Sequence, residues 1–426
     1  MNTNKLQISI RDFRAIKRAD IALNGITVLA GVNGSGKSTV SKLIYCIIKW
    51  MMDYNDLVLR NLESSLRKYF NILENLTLTY TYDFDTYKKL LDQFQLRSIQ
   101  DLQDIESRCE AICHNIIEYK NNKDRKNLGD SERERKMVIN TVEAPDYFSL
   151  EDALHKLMGI IHDQVTFALD KVKNRPSSIL NDHLDRLFND KVSKKITLFE
   201  YGEDIFSEKK TTVPIPHYVS QQFYIDTPYA IDNESYPYWR DLNNVLKQDN
   251  HKIDSEITTI INKIINGSAR YEKNDSNSGF FFRDVRGNDF NLLIAATGIR
   301  SFSILQMLLK NGQISENSLL ILDEPEAHLH PQWIVEYARL IIVIHKTIGA
   351  KFIISSHNPD MISAIRYIAD AENCSSQLEF YTARQAQDGT GRYNFRSTGL
   401  DIEPIFKSFN KSYDRLNKYA EDYDKE

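Results

Sequence analysis

The chain has 426 residues, of which 42% are hydrophobic and 27% are charged, as in a globular protein with a substantial core. This length favours two domains, or one large domain with an insertion. Because the net charge is −5 at pH 7, the protein as a whole is not a polyanion-binding cation, and any nucleic-acid surface must be a local patch.

The cysteines and the apolar runs restrict the class further. Cys46, Cys109, Cys113 and Cys374 do not form a disulfide framework and fit reduced thiols in the cytoplasm. The N-terminus lacks the apolar core of a signal peptide, and no run of about 18 apolar residues occurs, so we expect a cytoplasmic protein without a membrane span. Cys109, Cys113 and His114 share one helical face, where packing explains them better than metal binding.

The N-terminal 50 residues predict two strands in a hairpin, a third strand and a helix. The alternating stretch KLQISI (5–10) predicts a half-buried strand, and residues 19–23 predict its partner. ITVLAG (26–31) is a short apolar run typical of a buried strand. A glycine-rich turn follows, and residues 38–50 are predicted to be helical.

Residues 53–195 differ in their pattern of apolar residues from the segments on either side. Leucines and phenylalanines recur there at helical spacing, so we expect a mostly helical insertion. A charged segment, KNNKDRKNLGDSERERK (120–136), interrupts the pattern. We interpret this segment as a solvated loop rather than a nucleic-acid contact, because acidic residues are interleaved with the basic ones.

Strands and helices then alternate through the second half of the chain. The predicted strands are KKITLFEYG (194–202), PHYVSQQFYIDTP (216–228), SARYEKN, GFFFRDV, SLLILDEPE (318–326) and AKFIISSHNP (350–359). Helices are predicted in WRDLNNVLKQ, ITTIINKIIN and residues 331–346. This alternation implies an α/β fold with a parallel sheet. Residues 1–52 and 196–410 are predicted to form one domain on either side of the helical insertion, and an acidic tail is predicted at 411–426.

The stretch GVNGSGKS (31–38) carries the clearest chemical signal. It matches the phosphate-loop pattern G-x-x-x-x-G-K-S/T and lies between a predicted strand and a predicted helix. Glycines let backbone N–H groups surround phosphate oxygens, and the helix N-terminus adds positive charge. Lys37 is expected to reach the β- and γ-phosphates of ATP, and Ser38 to offer its hydroxyl to Mg²⁺. The predicted nucleotide-binding residues here are Asn33, Gly34, Ser35, Gly36, Lys37, Ser38 and Thr39.

Two more polar groups follow buried strands. Asp323 and Glu324 come directly after SLLIL, and His357 follows FIISS. Ligands of open parallel sheets bind beyond the carboxyl ends of the strands, so these side chains should meet Lys37 at one edge. We expect Asp323 to organise the Mg²⁺ ligands, Glu324 to act as general base, and His357 to hydrogen-bond the γ-phosphate or the attacking water.

Taken together, these motifs resemble the ATP-binding-cassette ATPases of the SMC, RecF and OLD (overcoming lysogenization defect) group. The resemblance rests on GVNGSGKS, on DEPE with AHLHP directly after it, on SSHNP, and on the opening IRDFRAIKRADIAL. It covers about residues 1–50 and 280–400. It implies a P-loop ATPase head with a mixed sheet and helices, into which this group habitually inserts further helices.

The resemblance implies a function for the segment LLIAATGIRSF (292–302). Cassette ATPases carry a signature loop at a helix N-terminus upstream of the acidic strand, and Thr297, Gly298 and Arg300 occupy that place here. In such proteins the loop caps the γ-phosphate bound by a second chain, so that two chains sandwich two ATP molecules. A homodimer or a higher homo-oligomer is therefore implied. A helix start with no further meaning is the alternative.

Two parts of the family pattern stay open. The family places a glutamine near Mg²⁺ or water, and either Gln221 or Gln222 could serve; we assign Gln222 as the candidate metal ligand. His328 and His330 occupy the place of the dimer-contact loop. Two histidines without a third and a fourth ligand do not make a zinc site, so we interpret them as loop and interface residues.

Three functions follow from the resemblance. The motifs look most like the stand-alone ATPases of Septu-, PARIS- and retron-type antiphage defence systems, which implies a regulatory subunit with a separately encoded effector nuclease of HNH or Toprim type. The alternative is an SMC/RecF-like DNA-repair ATPase with a DNA-binding surface, although no heptads are sustained for a long coiled coil. A nuclease domain is not expected in this chain, because the only Asp-x-Asp after His357 is Asp422-Tyr423-Asp424.

Overall fold

The computed structural model describes residues 4–81, 94–121, 131–248, 256–273 and 278–409. The predicted tail at 411–426, with Asp422-Tyr423-Asp424, lies outside the described residues, as do residues 122–130 of the charged segment at 120–136. The rest of that segment is helical rather than a loop, because residues 120–121 end one helix and residues 131–136 begin the next. The chain divides into two compact units. The first comprises residues 1–52, 184–210 and 215–426, and the second comprises residues 53–183 and 211–214.

A mixed sheet of ten strands forms the centre of the first unit. Its strands are β1 (Leu6–Phe13), β2 (Ile16–Ala22), β3 (Ile26–Ala30), β4 (Ile196–Glu200), β5 (Glu203–Phe206), β6 (Gln221–Ile225), β10 (Ser318–Asp323), β11 (Lys351–Ser356), β12 (Leu378–Gln385) and β13 (Tyr393–Gly399). They are ordered β5-β4-β1-β2-β13-β12-β3-β11-β10-β6. A second sheet, ordered β7-β8-β9, contains β7 (Gly267–Glu272), β8 (Gly279–Asp284) and β9 (Asp289–Asn291).

Five neighbouring strands of the large sheet run parallel, namely β12, β3, β11, β10 and β6. Every residue of β3, β10 and β11 is buried, which explains why their sequences are almost continuous apolar runs. The predicted hairpin is also present, since β1 pairs antiparallel with β2. The predicted α/β fold is thus confirmed, and the carboxyl ends of β3, β11, β10 and β6 share one edge.

Helices cover the sheet of the first unit. They are α1 (Lys37–Met52), α7 (Val192–Lys195), α8 (Pro237–Leu246), α9 (Glu256–Ile265), α10 (Thr297–Lys310), α11 (Pro331–Ile348), α12 (Pro359–Ala371) and α13 (Glu403–Phe409). Local sequence sets their ends. The Asn358 side chain accepts a hydrogen bond from the Met361 N–H at the start of α12, and Gly349 ends α11 with a φ of 83°.

The second unit is helical in its described residues, in keeping with the texture of its sequence. It contains α2 (Tyr54–Thr81), α3 (Ile99–Asn121), α4 (Ser131–Val142) and α5 (Leu150–Asn174), and α6 (Ser177–Phe188) begins in it. A capping box between Ser149 and Asp152 starts α5. The helical spacing of Leu57, Leu66 and Leu73 is explained by their burial. Among the described helices, none is long and apolar enough to cross a membrane.

Candidate functional site

The phosphate loop joins β3 to α1, and its glycines are required by backbone geometry. Gly34 and Gly36 have φ values of 79° and 99°, which side chains other than glycine rarely adopt. A Cβ on Gly36 would also lie 2.8 Å from Cγ1 of Ile16. The path of the loop at the start of α1 therefore requires glycine at both positions.

Lys37 is buried beneath this loop. Its Nζ donates hydrogen bonds to the carbonyl oxygens of Gly31 and Val32 at 2.8 and 3.2 Å. Burial lowers the pKa of Lys37, and the carboxylates of Glu324 and Asp323 partly counter this effect. The lysine thus lies where phosphate oxygens would approach the loop, with carbonyl oxygens as its present partners.

Ser38 and Asp323 meet at the edge of the sheet. The Ser38 hydroxyl donates to Oδ1 of Asp323 at 3.0 Å, across 285 residues of sequence. The Tyr224 hydroxyl donates to the other oxygen, Oδ2, at 2.7 Å. Hydroxyl and carboxylate oxygens are hard ligands of the kind that Mg²⁺ prefers, so Ser38 and Asp323 fit a magnesium ion whose other ligands would be phosphate and water.

Glu324 and His357 lie side by side at the ends of β10 and β11. Nδ1 of His357 is 3.1 Å from Oε1 of Glu324, and Nζ of Lys37 is 4.0 Å from the same oxygen. The backbone of Glu324 has a φ of 54°, a left-handed conformation that is uncommon for residues other than glycine. The structure therefore brings together Lys37, Ser38, Asp323, Glu324 and His357, as the sequence led us to expect.

A third carboxylate, that of Glu326, lies beneath this pair and was not singled out from the sequence. Its Oε1 accepts hydrogen bonds from the Ser356 hydroxyl at 2.7 Å and from the His357 N–H at 3.3 Å. Its Oε2 is buried and has no hydrogen-bond partner among the described residues. Burial raises the pKa of Glu326. The residue ties the end of β11 to the loop after β10.

The residues of the predicted signature loop form the first turn of α10. Thr297 donates its hydroxyl to the carbonyl of His328 at 3.2 Å, and Gly298 is buried. A Cβ on Gly298 would lie 2.5 Å from Cε3 of Trp333, so the glycine also has a packing role within its own chain. The guanidinium of Arg300 lies 4.5 Å from the ring centre of Tyr229.

The helix start offers unused donors. No side chain caps the N-terminus of α10. In addition, the Nε of Arg300 is buried without a hydrogen-bond partner in the part of the chain that the structure describes. A helix N-terminus and an arginine side by side are suited to an anion. Among the described residues, no hydrogen bond or ion pair joins the phosphate loop to Thr297, Gly298 or Arg300.

The structure does not bring either glutamine to the phosphate edge. Gln222 pairs with Leu319, four residues before Asp323, which is about 13 Å along a strand. Its amide donates to the carbonyl of Tyr45 at 2.8 Å, and Gln221 donates to Gln313. Both residues begin β6, whereas the site lies beyond its end. This register removes the reason for assigning Gln222 as a metal ligand.

The polar residue that lies at the end of β6, on the phosphate edge, is Asp226 rather than a glutamine. The residue before it, Ile225, pairs with Leu322, so Asp226 directly follows β6 at the level where Asp323 ends β10. Its carboxylate accepts hydrogen bonds from the Trp239 indole at 2.7 Å and the Tyr238 hydroxyl at 3.2 Å. Burial raises the pKa of Asp226. An acid after an apolar strand is the signal that would have found it.

Among the described residues, the histidines and cysteines that could suggest a metal-binding site do not lie together as one. His328 packs edge-on against Tyr229 with ring centres 5.8 Å apart, and His330 begins α11 by accepting a hydrogen bond from the Gln332 N–H. Cys109 and Cys113 are buried in α3. Among the described residues, no group of three or more histidine, cysteine, aspartate or glutamate side chains could hold a metal ion by itself.

Comparison with known proteins shows which protein family the sequence matches. The sequence profile of the AAA ATPase domain matches residues 6–362. Among solved structures, the fold is similar to the SMC head domain from Thermotoga maritima, with 11% identity, a TM-score of 0.38, and coverage of 92% of this chain and 97% of that one. It is also similar to an SMC head bound to the C-winged helix domain of ScpA, with 12% identity, a TM-score of 0.39, and coverage of 94% and 98%.

A third similar structure is the Smc head domain with an extended coiled coil bound to the C-terminal domain of ScpA derived from Pyrococcus furiosus. It is 12% identical, with a TM-score of 0.33 and coverage of 96% of this chain and 98% of that one. No curated protein sequence matches the chain significantly.

Proposed function

The chain belongs to the family of AAA ATPase domains, and on that premise we propose that it binds ATP with Mg²⁺ and hydrolyses it to ADP and phosphate. The observation that carries the proposal is the meeting of five side chains, from the phosphate loop and two strand ends, at one edge of the parallel sheet. They are Lys37, Ser38, Asp323, Glu324 and His357.

Binding would rest on the loop between β3 and α1. Backbone N–H groups of residues 33–39 surround the phosphates, and the start of α1 adds the positive end of its dipole. Lys37 exchanges the carbonyls of Gly31 and Val32 for the β- and γ-phosphate oxygens. Ser38 and Asp323 would hold Mg²⁺ through their side-chain oxygens, and the ion would supply positive charge against the phosphates.

Hydrolysis would use Glu324 as general base. Its carboxylate takes the proton of a water molecule whose oxygen attacks the γ-phosphorus, while the bond from that phosphorus to the β–γ bridging oxygen breaks. His357, 3.1 Å from this carboxylate, orients Glu324 and donates a hydrogen bond to the γ-phosphate or the water. The products are ADP and inorganic phosphate.

The partner for this reaction would be a second copy of the chain. The uncapped start of α10, with the guanidinium of Arg300 on the same turn, would provide a site for an anion held by the second copy. Thr297, Gly298 and Arg300 would close over the γ-phosphate held by the second copy. Closure with ATP and opening after hydrolysis give the chain two states that a further partner can distinguish.

The wider role we propose is regulation of a separately encoded effector nuclease of HNH or Toprim type in an antiphage defence system. The support is the resemblance of DEPEAHLHP and SSHNPDMISAIR to the stand-alone ATPases of such systems. The ATPase itself would occupy residues 1–52 and 196–410, with the helical residues between them available for effector or nucleic-acid contact.

Phosphate release by the purified chain tests the enzymatic proposal, and co-purification tests the regulatory one. The chain should release phosphate from ATP only with Mg²⁺ present. Expressed with its neighbouring genes, it should co-purify with a nuclease in a ratio that changes with ATP. Turnover stimulated by DNA, with no co-purifying protein, would instead indicate a DNA-repair ATPase of the SMC/RecF kind.

A further inference from the structure

We propose that Tyr224 is a positioning residue that fixes the Asp323 carboxylate for Mg²⁺. The inference rests on the proposed function and names a contributor to the same site that none of the sequence motifs contains. Its basis is the hydrogen bond of 2.7 Å from the Tyr224 hydroxyl to Oδ2 of Asp323, across two neighbouring strands.

Strand register explains how the hydroxyl reaches its target. Tyr224 in β6 pairs with Ile321 in β10, and Asp323 lies two residues further along β10. Side chains two residues apart in a strand point to the same face of the sheet. The phenol therefore lies on the face of Asp323 and extends along the sheet towards the strand end, where its oxygen meets the carboxylate.

The two oxygens of Asp323 have different partners. Oδ1 accepts from the Ser38 hydroxyl at 3.0 Å, whereas Oδ2 accepts from Tyr224. Ser38 and Oδ1 are the pair that faces the phosphate loop. A donor on Oδ2 fixes the rotation of the carboxylate and leaves Oδ1 directed at the magnesium position, as partners of metal ligands do in other metal sites.

Packing holds the phenol in place. Tyr224 is only 1% exposed. Its ring centre lies 4.9 Å from that of Tyr238 and 5.8 Å from that of Tyr45, both in tilted or edge-on contact. Tyr238 is itself bound to Asp226. Rings on two sides restrict rotation of the phenol, so the position of its hydroxyl oxygen is set by the fold rather than by Asp323.

The experiment compares Tyr224→Phe with Tyr45→Phe. Each removes one hydroxyl and keeps the ring of the same aromatic cluster, but the Tyr45 hydroxyl donates to Asp241 at 3.0 Å and not to Asp323. Binding of a fluorescent ATP analogue is measured as Mg²⁺ is titrated, and again in EDTA. Loss of a partner of a metal ligand typically weakens metal affinity about 10-fold or more.

We expect the Mg²⁺ concentration for half-maximal analogue binding to rise about 10-fold in Tyr224→Phe and to stay unchanged in Tyr45→Phe. Binding in EDTA should be unchanged in both. Equal shifts in the two variants, or none in Tyr224→Phe, would overturn the inference while leaving the proposed function intact. A wild-type chain without Mg²⁺-dependent binding would overturn both together.

A second measurement separates positioning from general packing. In an Asp323→Ala chain the acceptor of the Tyr224 hydroxyl is gone, so Tyr224→Phe should weaken Mg²⁺-dependent binding no further. Non-additivity of this kind is the signature of two residues that act through one contact. Fully additive losses would show that Tyr224 acts independently of Asp323 and would contradict the inference.

Discussion

His357 contacts Glu324 across 33 residues of sequence, with Nδ1 3.1 Å from Oε1. The contact exists because β10 and β11 are parallel neighbours that end at the same edge of the sheet. Glu324 holds its carboxylate there with a left-handed backbone, and Glu326 holds the His357 N–H from beneath. The fold itself therefore holds the pair together.

This contact predicts a loss of turnover in His357→Ala. We expect ATP hydrolysis to slow by about 10²-fold, because removing one donor at a developing oxyanion typically costs this much. ATP affinity should change far less, since Lys37 and the loop remain. The matched control is His217→Ala, whose imidazole is exposed and makes no hydrogen bond to the part of the chain that the structure describes, while its backbone N–H donates to Glu200. Equal turnover in the two variants would remove His357 from the reaction.

The proposed ATP sandwich predicts that Thr297→Arg blocks association. An added cation and its bulk at the exposed start of α10 would keep a second chain from closing, while each chain still binds ATP through its own loop. Light scattering with ATP, in a Glu324→Gln chain that cannot turn over, measures the mass. Thr212→Arg, at an exposed position elsewhere, should still associate. If Thr297→Arg also associates, the start of α10 is not an interface.

A substitution at Gly298 is expected to change the stability of the fold, so it cannot test association alone. A Cβ there would lie 2.5 Å from Trp333, so Gly298→Ala should destabilise the fold by about 1–3 kcal/mol through overpacking. Gly159 is the matched control, because it lies within α5 with open space around it. Gly159→Ala should stabilise by about 0.5–1 kcal/mol. Thermal unfolding measures both, and midpoints that shift in the same direction would contradict this assignment.

Burial of Glu326 predicts a pH dependence of stability. Because the folded protein raises the pKa of this carboxyl above 4.5, the folded state binds the proton more tightly than the unfolded state does. The resulting stabilisation is complete below the unfolded pKa and is lost as the pH rises through the folded pKa. Glu326→Gln should remove this component from the unfolding midpoint measured between pH 4.5 and neutrality. Glu336→Gln, at a half-exposed position, should not, and identical pH profiles for all three proteins would refute the prediction.

Much of the site could be predicted because its signals are local. β3, β10 and β11 are mostly apolar strands in which every residue is buried; β3 leads into the phosphate loop, β10 ends at Asp323, and β11 is followed by His357. The glycines of the phosphate loop have the backbone angles that their spacing indicates. Parallel strands then bring Lys37, Asp323 and His357 to one edge without further information.

The remainder depended on register, which the sequence does not reveal. The predicted strand at 216–228 forms only at Gln221–Ile225, so Gln222 lies at the wrong end for the phosphate edge. The same register carries Tyr224 and Asp226 towards Asp323. Gly298 fits a signature loop in sequence, yet its contact with Trp333 comes from the packing of α10 on α11, which no local pattern predicts.

The most direct test is to measure ATP binding and phosphate release together for the wild-type chain, Lys37→Ala and Glu324→Gln, with exposed Lys346→Ala as control. Lys37→Ala should lose ATP binding. Glu324→Gln should keep binding but release phosphate at least about 10²-fold more slowly, because the amide keeps the size of the side chain but cannot accept the proton of the attacking water. Normal turnover in Glu324→Gln, or unchanged ATP binding in Lys37→Ala, would contradict the assignment of this edge as an ATPase site.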